Sequence, residues 1–217
     1  MGSIESVLFD MDGVVVDSME QHADAWIRVL GEQGHVLDCI DIYRREGMSG
    51  RDSIIDIFHD KGAACPGDEE MARLIEKKLS LFDYDAVRLF PAVEGMLRYL
   101  RSRNVSLALV TGSLRSSVLR VLPGSIISLF GSIITADDVA RGKPHPEPYL
   151  AAMERLGALG KKTVAVENAP QGIRSARGAG IECLAVGTTL PEEYLAGASR
   201  IFKNHGELMD YFRSVLS

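Results

Sequence analysis

Five short apolar runs dominate this sequence, and each closes on a polar or glycine-bearing stretch: SVLFD (6–10), SLALVTGS (106–113), SIITADD (132–138), TVAVEN (163–168) and CLAVG (183–187). Their apolar residues run continuously rather than alternating with polar ones, which is the pattern of strands buried on both faces. Between the later runs lie helical patterns: AVEGMLRYLRSR, LRSSVLRVL, PEPYLAAMERLG and PQGIRSARGAG. In the third of these, Tyr149, Ala152, Met153 and Leu156 recur at helical spacing. Strand and helix in alternation imply an α/β fold, a Rossmann-like parallel sheet with helices on both faces.

One segment interrupts the alternation. From about Met19 to Tyr84 helical patterns follow one another without a convincing strand, as in MEQHADAWIRVLGEQGH, RDSIIDIFHDKG and DEEMARLIEKKLSLF. The expected division is a catalytic core of residues 1–16 and 87–217 with an inserted α-helical domain of residues 17–86.

A chain of 217 residues has room for both, and needs no disulfide or metal staple. Its composition, 46% hydrophobic and 25% charged, is that of a soluble globular protein. A net charge of -6 without any basic block argues against a nucleic-acid surface, so an enzyme acting on anions must gather positive charge locally. Cys39, Cys65 and Cys183 are odd in number and far apart, and read as reduced thiols of a cytoplasmic protein. No apolar run approaches the ~18 residues of a membrane span. Gly2 and Ser6 satisfy a loose myristoylation pattern, set aside because Ile4 to Asp10 reads at once as a buried strand. The expectation is a monomer with no nucleic-acid or membrane partner.

In an open parallel sheet, ligands bind outside the carboxyl ends of the strands. Here those ends carry Asp10 and Asp12, then Thr111, then Glu167 and Asn168, and Lys143 follows in RGKPHPEP. The stretch FDMDGVVVDS admits several readings. Asp12-Gly13 is a type I′ hairpin signal, which accounts for Gly13 but gives Asp10 no role. A calcium loop starting at Asp10 would need glycine where Val15 stands and glutamate where Gln21 stands. No G-x-G-x-x-G opens a helix after the first run, and RGKPH lacks the flanking residues of a P-loop. Ser113 and Ser116 have no histidine and acid placed to serve them.

A catalytic reading uses all the strand ends. A carboxylate at Asp10 can attack phosphorus and form an acyl-phosphate. Asp12 can give a proton to the leaving oxygen and then take one from water. Two carboxylates beside an anionic phosphoryl group repel one another, which calls for a hard divalent cation such as Mg²⁺. Lys143 supplies fixed positive charge. Thr111, with the backbone N–H groups of Gly112 and Ser113, supplies donors for phosphate oxygens.

DMDGVVVDS, VTGS, GKPHPEPY and VENAPQGIRSARGAG, in this order, resemble the four motifs of the haloacid dehalogenase superfamily across essentially the whole chain. The helical insertion resembles the cap domain of its β-phosphoglucomutase and phosphatase-like branch. The resemblance implies Asp10 as nucleophile, Asp12 as general acid/base, Thr111 as phosphate ligand and Lys143 as charge stabiliser. It also implies Mg²⁺ held by Asp10, the Asp12 carbonyl and the fourth motif at Glu167 and Asn168.

The fourth motif departs from the pattern of this branch, Glu-Asp-Ser, by reading Glu167-Asn168-Ala169. An amide oxygen can ligate Mg²⁺, but one negative charge is gone. Glu46, in the cap loop RREGMSG where mutases of the branch carry a basic residue, is the expected compensation and would approach the metal as the cap closes. Arg51 stands one place beyond the matching position of a mutase cap arginine. It remains a substrate-binding candidate, and its displacement weakens the mutase reading. A subgroup with the same Glu-Asn-Ala-Pro motif and Glu-Gly cap loop resembles small inorganic pyrophosphatases. His22 reads either as a helix histidine packed near Trp26 or, as a matching cap-hinge histidine implies, as a group that touches substrate or assists Asp12. His35, His59 and His205 read as surface residues, and EEMARLIEKK as a solvated helix face. The expected function is Mg²⁺-dependent hydrolysis of a small phosphorylated metabolite or pyrophosphate through phospho-Asp10. The alternatives are β-phosphoglucomutase-type transfer and a catalytically weak binding module.

Overall fold

The computed structural model describes residues 4–216; the myristoylation pattern at Gly2 lies outside them. The chain opens with β1 (Ser6–Phe9) and β2 (Val16–Asp17), followed by helices α1 (Met19–Gly31), α2 (Cys39–Tyr43), α3 (Gly50–Asp60) and α4 (Asp68–Leu81). It re-enters through β3 (Arg88–Leu89) and continues as α5 (Val93–Ser102), β4 (Ser106–Val110), α6 (Arg115–Val121), α7 (Gly124–Ile127) and β5 (Ser132–Ile134). The remainder is α8 (Glu147–Leu156), β6 (Thr163–Glu167), α9 (Pro170–Gly178), β7 (Glu182–Val186), β8 (Arg200–Phe202) and α10 (His205–Val215).

Six strands form one parallel sheet in the order β5-β4-β1-β6-β7-β8. The first strand is therefore central, with Phe9 opposite Leu109 on one side and Val166 on the other. This register brings the residues after the three strands to one edge. Side chains alternate between the two faces, as the two-residue period requires. Val7, Phe9, Leu107, Leu109 and Val166 pack on one face with Leu97 and Leu100 of α5 and Phe212 of α10. Leu8, Ala108, Val110, Ala165 and Cys183 pack on the other with Tyr149 and Ala152 of α8 and Ile173 and Ala176 of α9.

The inserted helices have an apolar cluster of their own, including Trp26, Val29, Leu30, Ile54, Ile57, Phe58 and Leu74. The chain leaves and re-enters the sheet region through an antiparallel ribbon in which Val16 pairs with Leu89 and Asp17 with Arg88. The α/β core with its helical cap is as expected. The ribbon strands and β8 were not anticipated, because two or three residues are too few for a periodicity signal.

Two strands are shorter than their apolar runs. SLALVTGS is strand only to Val110, and SIITADD only to Ile134, where Thr135 and Asp138 cap a tight turn. The type I′ reading of Asp12-Gly13 fails, since that turn needs positive φ at both residues. Gly13 has φ +81°, while Asn104 is the one non-glycine residue with positive φ among the described residues. His205 is buried rather than on the surface, with Nε2 2.6 Å from the Val14 carbonyl and its ring against Phe90. Cys39 and Cys65 are exposed and Cys183 is buried, all as free thiols. Among the described residues no helix is long and apolar enough to cross a membrane.

Candidate active site

Asp10 follows β1 directly, and its N–H donates to the Val166 carbonyl at 2.9 Å, holding it level with the end of β6. Beyond it the chain curls tightly: the N–H groups of Val14, Val15 and Val16 all turn back to the Met11 carbonyl. Gly13 is required in this loop, because a Cβ there would strike the Asn168 amide as well as being strained by its positive φ.

The most buried charges meet at Lys143. Its Nζ donates to Asp10 Oδ1 at 2.6 Å, Glu167 Oε1 at 2.7 Å and the Val110 carbonyl at 2.9 Å. Tyr149 also donates to Glu167 Oε1, at 2.5 Å, and Glu167 Oε2 takes a longer bond, 3.3 Å, from the Asn168 N–H. Glu167 presses so closely on Gly172 that no side chain fits there. Burial of the lysine is overridden by the two carboxylates, which keep its pKa above the usual lysine value. Burial pushes Asp10 up to about 8, against the pull of Lys143 and with Glu167 and Asp12 adding to the rise. Asp10 Oδ2 is buried and has no hydrogen-bond partner.

Asn168 Nδ2 donates to Thr189 Oγ1 at 3.1 Å, which fixes the amide, and its Oδ1 is also buried without a partner. Two orphaned oxygens thus belong to residues expected to hold a metal. Among the described residues no three His, Cys, Asp or Glu side chains are grouped to hold a metal ion. The expected donor set relies instead on an amide and a backbone carbonyl.

Asp12 is held from both sides. Oδ1 accepts from Ser18 at 2.7 Å and lies 3.1 Å from His22 Nε2, while Oδ2 accepts from Ser113 Oγ at 2.9 Å and Thr111 Oγ1 at 3.3 Å. Burial alone would raise its pKa, but His22, Ser18 and Ser113 hold the carboxyl below the usual carboxylate range. The Ser113 N–H, expected to be a phosphate donor, turns to Thr111 Oγ1 at 3.0 Å.

His22 contacts Asp12 and Phe82, its ring 4.7 Å from the latter. Its Nδ1 lies 2.9 Å from Lys78 Nζ. An ammonium can only donate, so Nδ1 accepts and Nε2–H points to Asp12. Lys78 is buried over the Phe82 and Trp26 rings, and burial lowers its pKa to about 8 although Asp12 and Glu46 oppose the drop. Lys78 is the exception to the reading of EEMARLIEKK as a solvated face, since Glu69, Arg73, Glu76 and Lys77 are exposed. The signal was there: Lys78 lies four residues after Leu74 and seven after Met71, both buried, and so falls on the apolar stripe of α4. Tyr149 was read as a core residue; its hydroxyl reaches the site.

From the cap, Glu46 is half-buried and feels both aspartates: burial, then Asp12, then Asp10 raise its pKa well above the ordinary value. The loop that carries it sits directly on the core. A Cβ at Gly112 would lie 2.5 Å from the Gly47 carbonyl oxygen, and one at Gly47 would lie 2.6 Å from Lys143 Cδ. Arg51 is half-exposed and paired with Asp68 at 2.7 Å.

A family model described as haloacid dehalogenase-like hydrolase matches residues 4–180. A validoxylamine A 7'-phosphate phosphatase from Streptomyces hygroscopicus subsp. limoneus is 31% identical over 204 residues, 93% of this chain and 94% of the relative. Pyrophosphatase PpaX from Oceanobacillus iheyensis is 31% identical over 191 residues, 88% of this chain and 86% of the relative. A solved Bacteroides vulgatus chain described as a β-phosphoglucomutase superposes with a TM-score of 0.86 at 30% identity, covering 100% of this chain and 92% of that one. On a match of this extent, the chain belongs to the haloacid dehalogenase-like hydrolase family, as an enzyme of the phosphatase and phosphoryl-transfer kind that acts on phosphorylated substrates.

Proposed function

We propose that this protein is a Mg²⁺-dependent phosphohydrolase in which Asp10 is the nucleophile. The observation that carries the reading is the asymmetry of the Asp10 carboxylate. One oxygen is fixed by Lys143, and the other is buried and without a partner. A fixed carboxylate with a free oxygen is oriented for attack. As the new O–P bond forms, the bond from phosphorus to the leaving oxygen breaks, and that oxygen takes a proton from Asp12. Water then attacks phosphorus, giving its proton to Asp12 as the bond to Asp10 breaks and phosphate leaves.

The hydrogen bonds around Asp12 support its ionised form, which is the base of the second step. For the first step it must carry a proton, which His22 Nε2, 3.1 Å away, would pass to it as Nδ1 takes one from Lys78 Nζ at 2.9 Å. Thr111 and the Gly112 backbone would hold phosphate oxygens, with Lys143 balancing the charge on Asp10.

The orphaned Asn168 Oδ1 fits a hard cation, since a buried oxygen is seldom left without a partner. Asp10, the Asp12 carbonyl, Glu167 and Asn168 would hold Mg²⁺, with Glu46 reaching it from the cap. Bound there, it would offset the repulsion between the carboxylates and the phosphoryl group. Residues 17–86 would act as the cap that closes over the site. A mutase would need a cap cation for a distal phosphate, and the engagement of Arg51 by Asp68 speaks against it. We take the working form to be a cytoplasmic monomer.

The test is phosphate release with Mg²⁺ from a panel of phosphate esters and pyrophosphate. Asp10→Asn should lower turnover by about 10³-fold or more. Turnover that survives in Asp10→Asn would overturn the assignment.

A further inference from the structure

We infer that the group esterified to the substrate's phosphate is compact, uncharged and apolar, so that the enzyme prefers an organic phosphate monoester to pyrophosphate or a bisphosphate. The inference rests on the phosphohydrolase reading. It comes from the cavity of about 240 Å³ between the strand ends and the cap, which has Asp12 and Ser113 at its core side. Small-molecule sites commonly measure ~300–1,000 Å³, so this one suits a small occupant.

The walls of the cavity are largely hydrocarbon. Trp26, Ile57, Ile75 and Leu79 contribute from the cap, and Leu114 and Val121 from the core. A leaving group in this half of the site is surrounded by surfaces that favour apolar contact and offer an anion little solvation.

The charged residues of the lining lead to the same conclusion. Three cations face the cavity, and each is already engaged. Arg45 Nε donates to Asp56 at 2.7 Å and Nη1 to the Asp41 carbonyl at 2.6 Å, while Nη2 pairs with Asp60. Arg51 pairs with Asp68, and Lys78 is bound to His22 between two aromatic faces. The carboxylates of Asp12 and Glu46 line the same space. A second phosphate would find the buried Arg45 guanidinium tied to aspartates and Arg51 already in an exposed pair with Asp68, whereas tight phosphate sites offer charge-assisted hydrogen bonds. Orthophosphate leaving from pyrophosphate would be an anion in the same apolar half. An alcohol formed from a monoester, having taken the Asp12 proton, leaves it neutral.

The experiment compares kcat/KM for Mg²⁺-dependent phosphate release from ethyl, propyl and butyl phosphate, glycerol phosphate, a hexose bisphosphate and pyrophosphate. The Asp10→Asn and Leu79→Lys variants run in parallel. We expect kcat/KM to rise about fourfold per added methylene. Pyrophosphate and the bisphosphate should fall about 10-fold or more below butyl phosphate. Leu79→Lys, which changes only the wall, should flatten the chain-length series and narrow the gap to pyrophosphate. Preferred turnover of pyrophosphate or the bisphosphate that is lost in Asp10→Asn would overturn the inference and leave the phosphohydrolase reading standing. So would a flat alkyl series. Release that is equal in Asp10→Asn, or absent from every substrate, would overturn the phosphohydrolase reading and the inference with it.

Discussion

Lys143 and Asp138 show two ways in which a charge is settled by its immediate contacts. Lys143 is almost wholly enclosed, so its charge persists because Asp10 and Glu167 accept its hydrogen bonds, and loss of both partners would leave a buried charge exposed to the full desolvation penalty. Asp138 is nearer the surface and ties Thr135, Arg115 and Arg155 together through four hydrogen bonds of 2.6–2.9 Å. Burial would raise its pKa, but the Thr135 hydroxyl, Arg155, the Thr135 N–H and Arg115 hold it well below the usual carboxylate range. The folded chain therefore binds this proton more weakly than the unfolded one. The resulting stability is complete above the ordinary carboxylate pKa and is lost as pH falls toward the lower native value. Asp138→Asn should lower stability by about 1–2 kcal/mol at pH 7, and the gap to the parent should begin to close below about pH 4. Urea midpoints of both proteins at neutral and acid pH check this; a gap that widens on acidification would contradict it. At this scale the sequence put Asp10, Thr111, Glu167 and Asn168 at strand ends, because each directly follows or closes an apolar run, with Asp12 two residues beyond Asp10 and Lys143 in the loop between β5 and α8. It did not reveal that Arg51 is tied to Asp68 or that Lys78 lies against His22. Those pairings join residues 17 and 56 positions apart, and depend on how helices dock.

The elements explain why the site is so tightly gathered. β1 is central, so the two residues beyond it are flanked by the ends of β4 and β6, and α1 begins soon enough for Ser18 and His22 to face back onto Asp12. The loop that carries Glu46 meets the core where two chain segments touch without side chains between them, at Gly47 and Gly112. A backbone carbonyl cannot yield as a flexible side chain can, so Gly112→Ala should displace the cap loop that carries Glu46. We expect kcat/KM to drop by about 10²-fold, with the urea midpoint nearly unchanged because the contact lies outside the apolar clusters. Steady-state kinetics with urea titration tests this, and a variant with parental kcat/KM would show that the close approach is unimportant. The glycines were visible in GMSG and VTGS, but a contact between two loops far apart in sequence has no local signature.

Three apolar clusters organise the molecule, two on the faces of the sheet and one among the inserted helices. Ile54 is wholly buried in the third. Ile54→Ala should remove about 2–5 kcal/mol of packing there. Hydrogen exchange should speed up across α1 to α4 while β1, β4 and β6 keep their protection. Equal acceleration in the sheet would mean that cap and core open as one unit. The continuous apolar runs, their alternation with helical patterns and the helical interruption after the first run are local properties, and they were sufficient to imply the α/β class and the inserted cap, while the family followed from the resemblance of four short motifs. Burial patterns follow from side-chain period, which is written residue by residue. Strand order, the seating of the cap on the core, the apolar lining of the cavity and the engagement of its cations were decided by the tertiary structure alone. Each is a relation between surfaces that meet only once distant segments have packed, and the free energy that selects among such meetings belongs to the assembled whole.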